Sequence, residues 1–323
     1  MKATALAHPN VALIKYWGKS DSIQNHPAVA SLSLTLEGLE TRTSIRFDSN
    51  LQSDQIQING IRDDSSLQKV TLCLDVFRKK FGKYICADVK STNNFPTAAG
   101  LASSASGYAA LVKAADSALG LELDRNELAN IACLGSGSAP RSIYPGIVLL
   151  QPNHERNTIV CETISDVEQW PLSVVIAITT EEPKSIPSTY GMEVSRNTSP
   201  YYENWLISHP ADLQVALTYI ENRDFNGLAE ISEQNCLKMH AVAMSSDPPL
   251  IYWSGVTIEL MSIVRQLRQD KIPVFFTTDA GPQLKAICLP DVVSQVQHAL
   301  QSVSGVQKTI ISTLGLGARG LSR

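Results

Sequence analysis

The sequence predicts an α+β protein of two domains, and three observations support this prediction. The chain has 323 residues, which is long for one ordinary domain and suits two of medium size. Alternating, strand-like segments dominate residues 1–100, whereas helical patterns and then a mixed pattern follow later. A shift to a loop rich in Pro and Ser near residues 181–192 places the expected boundary between residues 1–182 and 183–323.

The N-terminal part is predicted to be a sheet with helices packed on it. Alternation of apolar and polar residues indicates strands in SLSLTLEGL, TRTSIRF, DQIQING and YICADVKST. One helix interrupts them, because LQKVTLCLDVFRKKFG has apolar residues at helical spacing and ends at Gly82, a residue typical of helix C-termini. Two more helices, YAALVKAADSALG and DRNELANIACL, precede a loop of small residues, GSGSAPRSIYPG.

Strands are predicted again at GIVLLQ and SVVIAI. Beyond the expected boundary, three helical patterns come first: ADLQVALTYIENR, GLAEISEQNCLKMH and GVTIELMSIVRQLRQ. The order strand, strand, helix, strand then follows in PVFFTTDAG, LKAICL, DVVSQVQHALQSV and QKTIIST. This succession is typical of an α+β sandwich.

Composition narrows the class of partner. Hydrophobic residues make up 44% of the chain and charged residues 18%, and no apolar run approaches the roughly 18 residues of a membrane helix. With a net charge of -4 and no cluster of Lys and Arg, we expect a small-molecule partner, not nucleic acid or a membrane. The six cysteines form no CxxC pair or zinc spacing, and no signal peptide is evident, so we expect a cytoplasmic protein with reduced thiols.

The stretch NNFPTAAGLASSASGYAALVKAAD, residues 93–116, is a loop that becomes a helix. The start of a helix exposes unpaired N–H groups and the positive end of its dipole, which attract anions. Gly100 leaves room for a close approach, and Ser103 and Ser104 offer hydroxyls to phosphate oxygens or a magnesium ion. An ordinary helix that is capped by serine and packed through alanines explains the same composition. Composition alone does not distinguish this helix from a phosphate-binding site. No GK[ST] follows the glycine, so this is not a Walker loop.

Two further segments carry cationic side chains. In ALIKYWGK, a strand would place residues 15, 17 and 19 on one face and so bring the ammonium groups of Lys15 and Lys19 together, although a solvated edge strand is the alternative. GSGSAPRS, residues 135–142, gathers Ser136, Ser138 and Arg141. These donors suit a carboxylate or a phosphate, whereas a flexible loop between helices is the structural alternative.

One acidic residue lies at a strand end. TTDAGP, residues 277–282, places Asp279 where the apolar strand PVFF meets a Gly-Pro turn. A carboxylate in this position is either a catalytic group or a residue that stabilises the turn.

Taken together, IKYWGK, NNFPTAAGLASSASG, GSGSAPRS, KSIPSTYGM and TDAGP resemble the motifs of mevalonate diphosphate decarboxylases, members of the GHMP kinase superfamily, and they occur in the same order. The resemblance runs from about residue 4 to the C-terminal glycine turn. It implies a two-domain GHMP kinase fold. Its N-terminal domain is like domain 2 of ribosomal protein S5, and its C-terminal domain is a ferredoxin-like α/β sandwich. It also implies a homodimer.

Such enzymes use ATP and Mg²⁺ to phosphorylate the C3 hydroxyl of mevalonate 5-diphosphate, and then release CO₂ and phosphate to leave isopentenyl diphosphate. The resemblance assigns catalysis to Asp279, Lys15 and Arg141, with Asp279 facing the C3 hydroxyl and Arg141 gripping the C1 carboxylate. The residues implied in substrate binding are Tyr16, Lys19, Lys69, Ser136, Ser138 and Arg141. Those implied in ATP binding are Pro96, Ala99, Gly100, Leu101, Ala102, Ser103, Ser104, Lys184 and Ser188, with Ser103 and Ser104 also near the metal.

The chain departs from the family pattern at three places. Val29-Ala30-Ser31 stands where Asn-Ser-Ser is common, Pro140 interrupts GSGSAPRS, and Lys69 replaces an arginine that helps to hold the diphosphate. These changes concern substrate recognition, so a 5-phosphomevalonate decarboxylase is the near alternative. A mevalonate 3-kinase that stops after phosphorylation and a non-catalytic nucleotide-binding homologue are the others, and both are disfavoured by the presence of Asp279 and Arg141.

Overall fold

A computed structural model of the chain describes residues 1–21, 24–96, 101–182 and 186–321. Its strands are β1 (Lys2–Ala7), β2 (Asn10–Ile14), β3 (Lys19–Asp21), β4 (His26–Pro27), β5 (Ser31–Thr35), β6 (Thr41–Phe47), β7 (Gln55–Ile58), β8 (Ile61–Arg62), β9 (Ala87–Asn93), β10 (Ile147–Asn153), β11 (Thr158–Ser165), β12 (Ser173–Ile178), β13 (Val274–Thr278), β14 (Leu284–Cys288), β15 (Lys308–Thr313) and β16 (Arg319–Leu321).

The helices are α1 (Leu67–Phe81), α2 (Ser103–Leu119), α3 (Arg125–Gly135), α4 (Ser188–Thr198), α5 (Tyr202–Glu221), α6 (Phe225–Met244), α7 (Gly255–Gln269) and α8 (Val293–Gln301). Two short 3₁₀ segments, Ala139–Ile143 and Pro290–Val292, complete the described elements. Within the described part of the chain, no helix combines the length and the apolar character that a membrane span requires.

The first sheet has the order β16-β1-β6-β9-β7-β8 and is antiparallel except between β7 and β9. In β6, TRTSIRF, buried and less buried side chains alternate, so one face of the strand is available for packing. Helices α1, α2 and α3 contribute to the core on this face, where Phe77 and Ala109 share an apolar cluster with Ile45. β16 pairs with β1, so a C-terminal segment completes the N-terminal sheet.

Two four-stranded antiparallel sheets, β11-β10-β5-β2 and β13-β14-β12-β15, share one core. Leu32 of β5, Ile176 of β12 and Phe275 of β13 belong to the same buried cluster, together with Leu228 of α6. The other face of the β13-β14-β12-β15 sheet packs with α7 and α8. The N-terminal and C-terminal parts of the chain are therefore joined through buried apolar surface.

The predicted domain boundary between residues 182 and 183 stays a prediction. β12 precedes this position in sequence and pairs with both β14 and β15, which follow it. The sheet of the C-terminal part thus recruits a strand from before residue 182.

Most predicted elements are confirmed, and α1 shows why. It begins at Leu67, and its C-terminal Gly82 has the left-handed φ of 74° that favours glycine. At α3, Asp124 and Glu127 form a capping box that fixes the helix start.

Helix α5 begins earlier than predicted. The helical pattern of the sequence lies at ADLQVALTYIENR, which follows Pro210, and a proline removes a backbone donor inside a helix. The helix instead begins at Tyr202 and continues through Pro210. Two side chains of its first turns explain this: Trp205 Nε1 donates to the Trp17 carbonyl at 3.0 Å, and a His209 ring nitrogen lies 2.8 Å from the Ala30 carbonyl oxygen. Tertiary contacts outweigh the local penalty of the proline.

Helix α6 also fixes the backbone just beyond β2. The Lys15 N–H donates to Asn235 Oδ1 at 2.7 Å, and Asn235 Nδ2 donates to Asp212 Oδ2 at 2.9 Å. Asn235 is buried, so these bonds are shielded from water. The N-terminal backbone at Lys15 is thereby held by two helices of the C-terminal part.

We expect N235A to lower the free energy of unfolding by about 1–3 kcal/mol, because it leaves the buried Lys15 N–H without its acceptor. Urea unfolding followed by circular dichroism measures the change. The control is N222A at the exposed end of α5, where Asn222 donates to the Thr218 carbonyl and the change should stay within about 0.5 kcal/mol. Equal stability of N235A and N222A would show that the Asn235 bond contributes little.

Candidate active site

A cavity of about 390 Å³ lies between the N-terminal loops and the C-terminal part of the chain. Its walls come from stretches that are far apart in sequence. The residues of the sequence analysis that line it are Lys15, Tyr16, Lys19, Lys69, Ala102, Ser104, Ser136, Ser138, Arg141, Ser188 and Asp279. The fold therefore gathers most of the predicted site residues around one space.

The remaining predicted residues are placed elsewhere or are not described. Ser103 lines a second cavity, next to the first. The Leu101 side chain is buried in the apolar core, and Pro96 lies outside the walls of both cavities. Ala99, Gly100 and Lys184 lie outside the described residues.

Asp279 directly follows β13 and is held between two buried lysines. Lys15 Nζ donates to its Oδ1 at 2.8 Å and also to the Ala12 carbonyl at 2.7 Å. Lys285 Nζ, from β14, lies 3.4 Å from Oδ2. The Lys15 and Lys285 side chains are only 1% and 2% exposed, whereas that of Asp279 is 28% exposed toward the cavity. Each oxygen of the carboxylate thus has its own ammonium partner.

This arrangement sets the charge of Asp279. Burial alone would raise the pKa of its carboxyl group, but the positive charges of Lys15 and Lys285 outweigh burial and lower the pKa far below its ordinary range. Asp279 is consequently ionised at neutral pH. A carboxylate held in this way accepts a hydrogen bond from a hydroxyl group and orients it.

Arg141 lies in the 3₁₀ segment Ala139–Ile143, which the sequence analysis predicted as loop. Pro140 stands in the first turn of that segment, a position where its missing N–H costs nothing. The guanidinium is buried and donates to Asn10 Oδ1 at 3.2 Å and to Ser31 Oγ at 2.5 Å. Burial lowers the pKa of this group, but arginine stays protonated in proteins. The result is a fixed cation in the cavity wall.

Tyr16 closes one side of the cavity. A Cβ atom on Gly137 would lie 2.3 Å from the Tyr16 hydroxyl, so glycine permits this close approach. Among the described residues the buried hydroxyl finds no hydrogen-bond partner, and burial raises the pKa of Tyr16 well above its ordinary value. Tyr16 therefore offers a neutral O–H donor beside the Arg141 guanidinium, whose central carbon lies 6.0 Å from the tyrosine ring centre.

The predicted single strand through residues 15, 17 and 19 is wrong. β2 ends at Ile14, and Gly18 has a φ of 106°, so the chain turns before β3 begins at Lys19. A Cβ atom on Gly18 would also lie 2.0 Å from the Tyr202 hydroxyl. Both lysines nevertheless reach the cavity, because the turn, not a shared strand face, directs them there.

Lys19 lies close to a second cation. Its Nζ donates to Asn25 Oδ1 at 2.7 Å and to Thr189 Oγ1 at 3.3 Å. Burial, and then the positive charge of Lys69, lower the pKa of Lys19 to about 8. An anion placed between these ammonium groups would relieve both penalties.

A row of hydroxyl groups crosses the cavity from the start of α2. Ser104 Oγ lies 3.4 Å from Ser136 Oγ, which lies 3.1 Å from Ser138 Oγ. The helix begins without a side-chain cap: Ala102 stands at the capping position with a left-handed φ of 54°. Ser104 is exposed, so the first turn of α2 is open to a ligand.

The second cavity, of about 270 Å³, adjoins this helix start. Ser103 and Ser104 stand at its edge, and its walls are largely apolar, with Ile56, Val70 and Val89 among them. Ser104 lines both cavities. A ligand with a charged part and a flat apolar part can therefore extend from one to the other past the α2 N-terminus.

Sequence reasoning missed several residues of the site. Lys285 contacts Asp279, Asn10 and Ser31 accept hydrogen bonds from Arg141, and Asn25 and Thr189 accept hydrogen bonds from Lys19. Lys285 had a usable signal, since a lysine inside the apolar strand LKAICL is unusual. The others are common polar residues, which have no local pattern that marks them.

A metal site made of protein ligands alone is not found. Within the residues that the structure describes, no group of three His, Cys, Asp or Glu side chains could hold an ion. Magnesium is usually bound through few protein oxygens together with substrate phosphates and water. The hydroxyls of Ser103 and Ser104 at the open helix start fit that mode of binding.

Comparison with known families and proteins identifies the family and the fold. Residues 7–161 match the model of the diphosphomevalonate decarboxylase-like N-terminal domain, and residues 174–316 match that of the mevalonate 5-diphosphate decarboxylase C-terminal domain. A diphosphomevalonate decarboxylase from Ganoderma lucidum is 34% identical, with 87% of this chain and 76% of the relative covered.

Solved structures agree over the whole fold. Mevalonate diphosphate decarboxylase from Staphylococcus aureus is 36% identical, with a TM-score of 0.93 and coverage of 99% of this chain and 98% of the other. MDDEF in complex with MVAPP, AMPPCP and magnesium is 36% identical, with a TM-score of 0.92 and coverage of 100% and 99%. The predicted α+β fold of the GHMP kinase type is thereby confirmed. With both domain models matched in order along one chain, this protein belongs to the diphosphomevalonate decarboxylase family.

Proposed function

We propose that this protein catalyses the ATP-dependent decarboxylation of mevalonate 5-diphosphate to isopentenyl diphosphate, with release of ADP, phosphate and CO₂. Family membership supports this function, as does the neighbour bound to MVAPP, AMPPCP (an ATP analogue) and magnesium. The observation that carries the proposal is the ionised Asp279 carboxylate, which faces the same cavity as the buried Arg141 guanidinium. A hydroxyl and a carboxylate on one substrate molecule can engage both.

The first step is phosphoryl transfer to the C3 hydroxyl. Asp279 accepts the hydrogen bond of this hydroxyl and orients its oxygen toward the γ-phosphorus of ATP. The C3 oxygen forms a bond to the γ-phosphorus, the bond from that phosphorus to the ADP oxygen breaks, and the hydroxyl proton passes along its hydrogen bond to the Asp279 carboxylate. Lys15 supports this step, because its ammonium group lies on Oδ1 of Asp279 and can offset the charge that moves between the phosphates.

The second step is loss of phosphate and CO₂. When the C3–O bond breaks, phosphate takes the electron pair and positive charge develops at C3. The C1–C2 bond electrons then form the C2=C3 double bond, and CO₂ departs. Arg141, fixed by Asn10 and Ser31, binds the C1 carboxylate and keeps its bond aligned with the leaving phosphate.

We assign different parts of the two ligands to the two cavities. The triphosphate of ATP would lie at the start of α2, where Ser103 and Ser104 donate hydrogen bonds, and the adenine ring would enter the apolar second cavity. Ser188, the first residue of α4, lines the same cavity as Ser104. Magnesium, held through the phosphates and the serine hydroxyls, would neutralise phosphate charge. Lys19, Lys69, Ser136 and Ser138 would bind the diphosphate tail.

The proposal also covers the oligomeric state and the cellular location. We infer a homodimer from the family resemblance, which multi-angle light scattering of the purified protein tests directly. We also infer a cytoplasmic location, because all six cysteines are buried free thiols, as is typical of a reducing compartment. A fluorescent fusion tests the location.

The function is tested by incubating the protein with ATP, Mg²⁺ and, separately, mevalonate, its 5-phosphate and its 5-diphosphate. Equal amounts of ADP and CO₂ from the diphosphate are expected. The same products from the monophosphate alone would mean that Lys69 and Val29 have changed the substrate. ADP without CO₂ would indicate a kinase, and nucleotide binding without any turnover would indicate a non-catalytic homologue.

We expect D279N to lower kcat by about 100- to 10,000-fold, because the amide cannot accept the proton or orient the hydroxyl as the carboxylate does. Nucleotide affinity should stay near that of the wild type, since the nucleotide contacts proposed above come from Ser103, Ser104 and Ser188. Steady-state assays and nucleotide titration measure the two quantities. D270N, at the exposed end of α7, is the control. A D279N enzyme that keeps wild-type turnover would remove Asp279 from the mechanism.

We expect R141K to raise the KM for the substrate by about 10- to 100-fold and to slow CO₂ release, since lysine keeps the charge but loses the bidentate contact. ADP and CO₂ should be measured in the same reaction to separate phosphorylation from decarboxylation. R62K, at an exposed ion pair with Asp64, is the matched control. Unchanged kinetics in R141K would argue against contact between Arg141 and the C1 carboxylate.

Substrate affinity should fall as the pH rises through about 8, because the free protein then loses the Lys19 proton that the bound anion requires. Calorimetric titration with the 5-diphosphate across this range measures the decline. K69M removes the repelling charge, raises the pKa of Lys19 and should move the decline to higher pH. K90M, an exposed lysine on β9, should leave it in place. A decline at the same pH in K69M and the wild type would show that the charge of Lys69 does not lower the pKa of Lys19.

A further inference from the structure

Lys285 is an ammonium group placed in an apolar sheet face. It lies on β14, an interior strand of the order β13-β14-β12-β15, and is paired with Thr277 on one side and Ile176 on the other. Its neighbour two residues along, Ile287, belongs to the core shared by the two parts of the chain. Only 2% of the side chain is exposed. Burial lowers the pKa of this lysine, so the position is costly for a charge.

A purely structural role does not explain this placement. Buried ion pairs are often no more stabilising than well-packed apolar residues of similar volume. Asp279 already has a buried partner in Lys15, at 2.8 Å from Oδ1. A second lysine at 3.4 Å from Oδ2 gives the group of three side chains a net charge of +1 instead of zero.

Lys285 also stands on a different side of Asp279 from the cavity. Lys15 and Asp279 both line the cavity wall, whereas Lys285 does not. Its effect on a substrate must therefore pass through the Asp279 carboxylate. Contact with Oδ2 restricts rotation of the carboxylate plane, and the added positive charge keeps it ionised beside anionic ligands.

We propose, on the basis of the function proposed above, that Lys285 is a positioning residue that holds Oδ2 of Asp279 and so aims its carboxylate at the substrate hydroxyl. Lys285 touches no reacting atom in this role. The loss of such alignment is expected to appear in kcat, because a displaced carboxylate still permits the ligands to bind.

Other charged groups face Asp279 and must be considered in a pH profile. They are Lys15 from the loop after β2, His240 from α6 and Arg141 from the 3₁₀ segment. Burial and the positive charge of Lys15 lower the pKa of His240 to about 3, so this ring is neutral under assay conditions. Titration of the substrate phosphates is common to every variant. Among the neighbouring charges that act on the pKa of His240, that of Lys285 has the smallest effect, and the burial of His240 is the same in every variant, so a difference between variants in the acid limb reports on Asp279.

The test compares K285M with K285R and with K308M. K285M removes the charge at similar length, K285R retains the charge, and K308M removes an exposed lysine from β15 of the same sheet. We expect K285M to lower kcat by about 100-fold, with KM values near those of the wild type. The acid limb of the pH profile of kcat should move to higher pH in K285M, because the pKa of the Asp279 carboxyl group rises when one neighbouring cation is lost. K285R should keep the wild-type limb and recover part of kcat, and K308M should match the wild type.

Each outcome either supports or contradicts the positioning role of Lys285. An unchanged kcat and acid limb in folded K285M would overturn the proposal, while CO₂ release by the wild type would leave the proposed function standing. Absence of CO₂ release by the wild type would contradict the function itself. If K285M does not fold, K285Q replaces it with the same expected results. Failure of both neutral variants to fold, with K285R folded, would reveal a structural role and overturn the proposal.

Discussion

The structure depends on a single carboxylate held between two buried ammonium groups. Asp279 follows β13, Lys285 lies on the neighbouring strand β14, and Lys15 directly follows β2 in the N-terminal part. Charges taken out of water cost several kcal/mol each and are tolerated only when their partners stay close. The contact between the two parts of the chain is therefore constrained by charge as well as by apolar packing, and the constraint falls at the position that we propose to be catalytic.

The cationic groups around this carboxylate explain how a protein of net charge -4 can bind polyanions. Lys15, Lys19, Lys69 and Arg141 line one cavity, where Asp279 supplies the opposing charge. Local fields in a cleft, not the net charge, determine which ligand is attracted. Low exposure strengthens each interaction, since water no longer screens it. Burial, and then repulsion from Lys69, lower the pKa of Lys19, and a bound diphosphate would offset both effects.

Some residues around the cavity are held by hydrogen bonds, whereas the start of α2 is open. Arg141 is fixed by Asn10 and Ser31, and the Lys15 backbone is fixed by Asn235 of α6. The α2 start, in contrast, has no side-chain cap, and Ser104 in its first turn is exposed. The groups that we propose to align the substrate are thus held by second partners, whereas the helix start that we propose to receive the nucleotide is left without a side-chain cap.

The sequence by itself determined the α+β class, most strands and helices, and the short segments that form the cavity, because alternation, capping residues and small-residue loops act over a few neighbouring positions. It placed Asp279 at a strand end beside a turn and Arg141 in a small-residue segment. Tertiary structure decided the rest. It carried α5 through Pro210, turned the chain at Gly18, and brought Lys285 to Asp279. These features depend on contacts between residues far apart in the chain, whose energies outweigh local preference and whose partners cannot be read from neighbouring positions in the sequence.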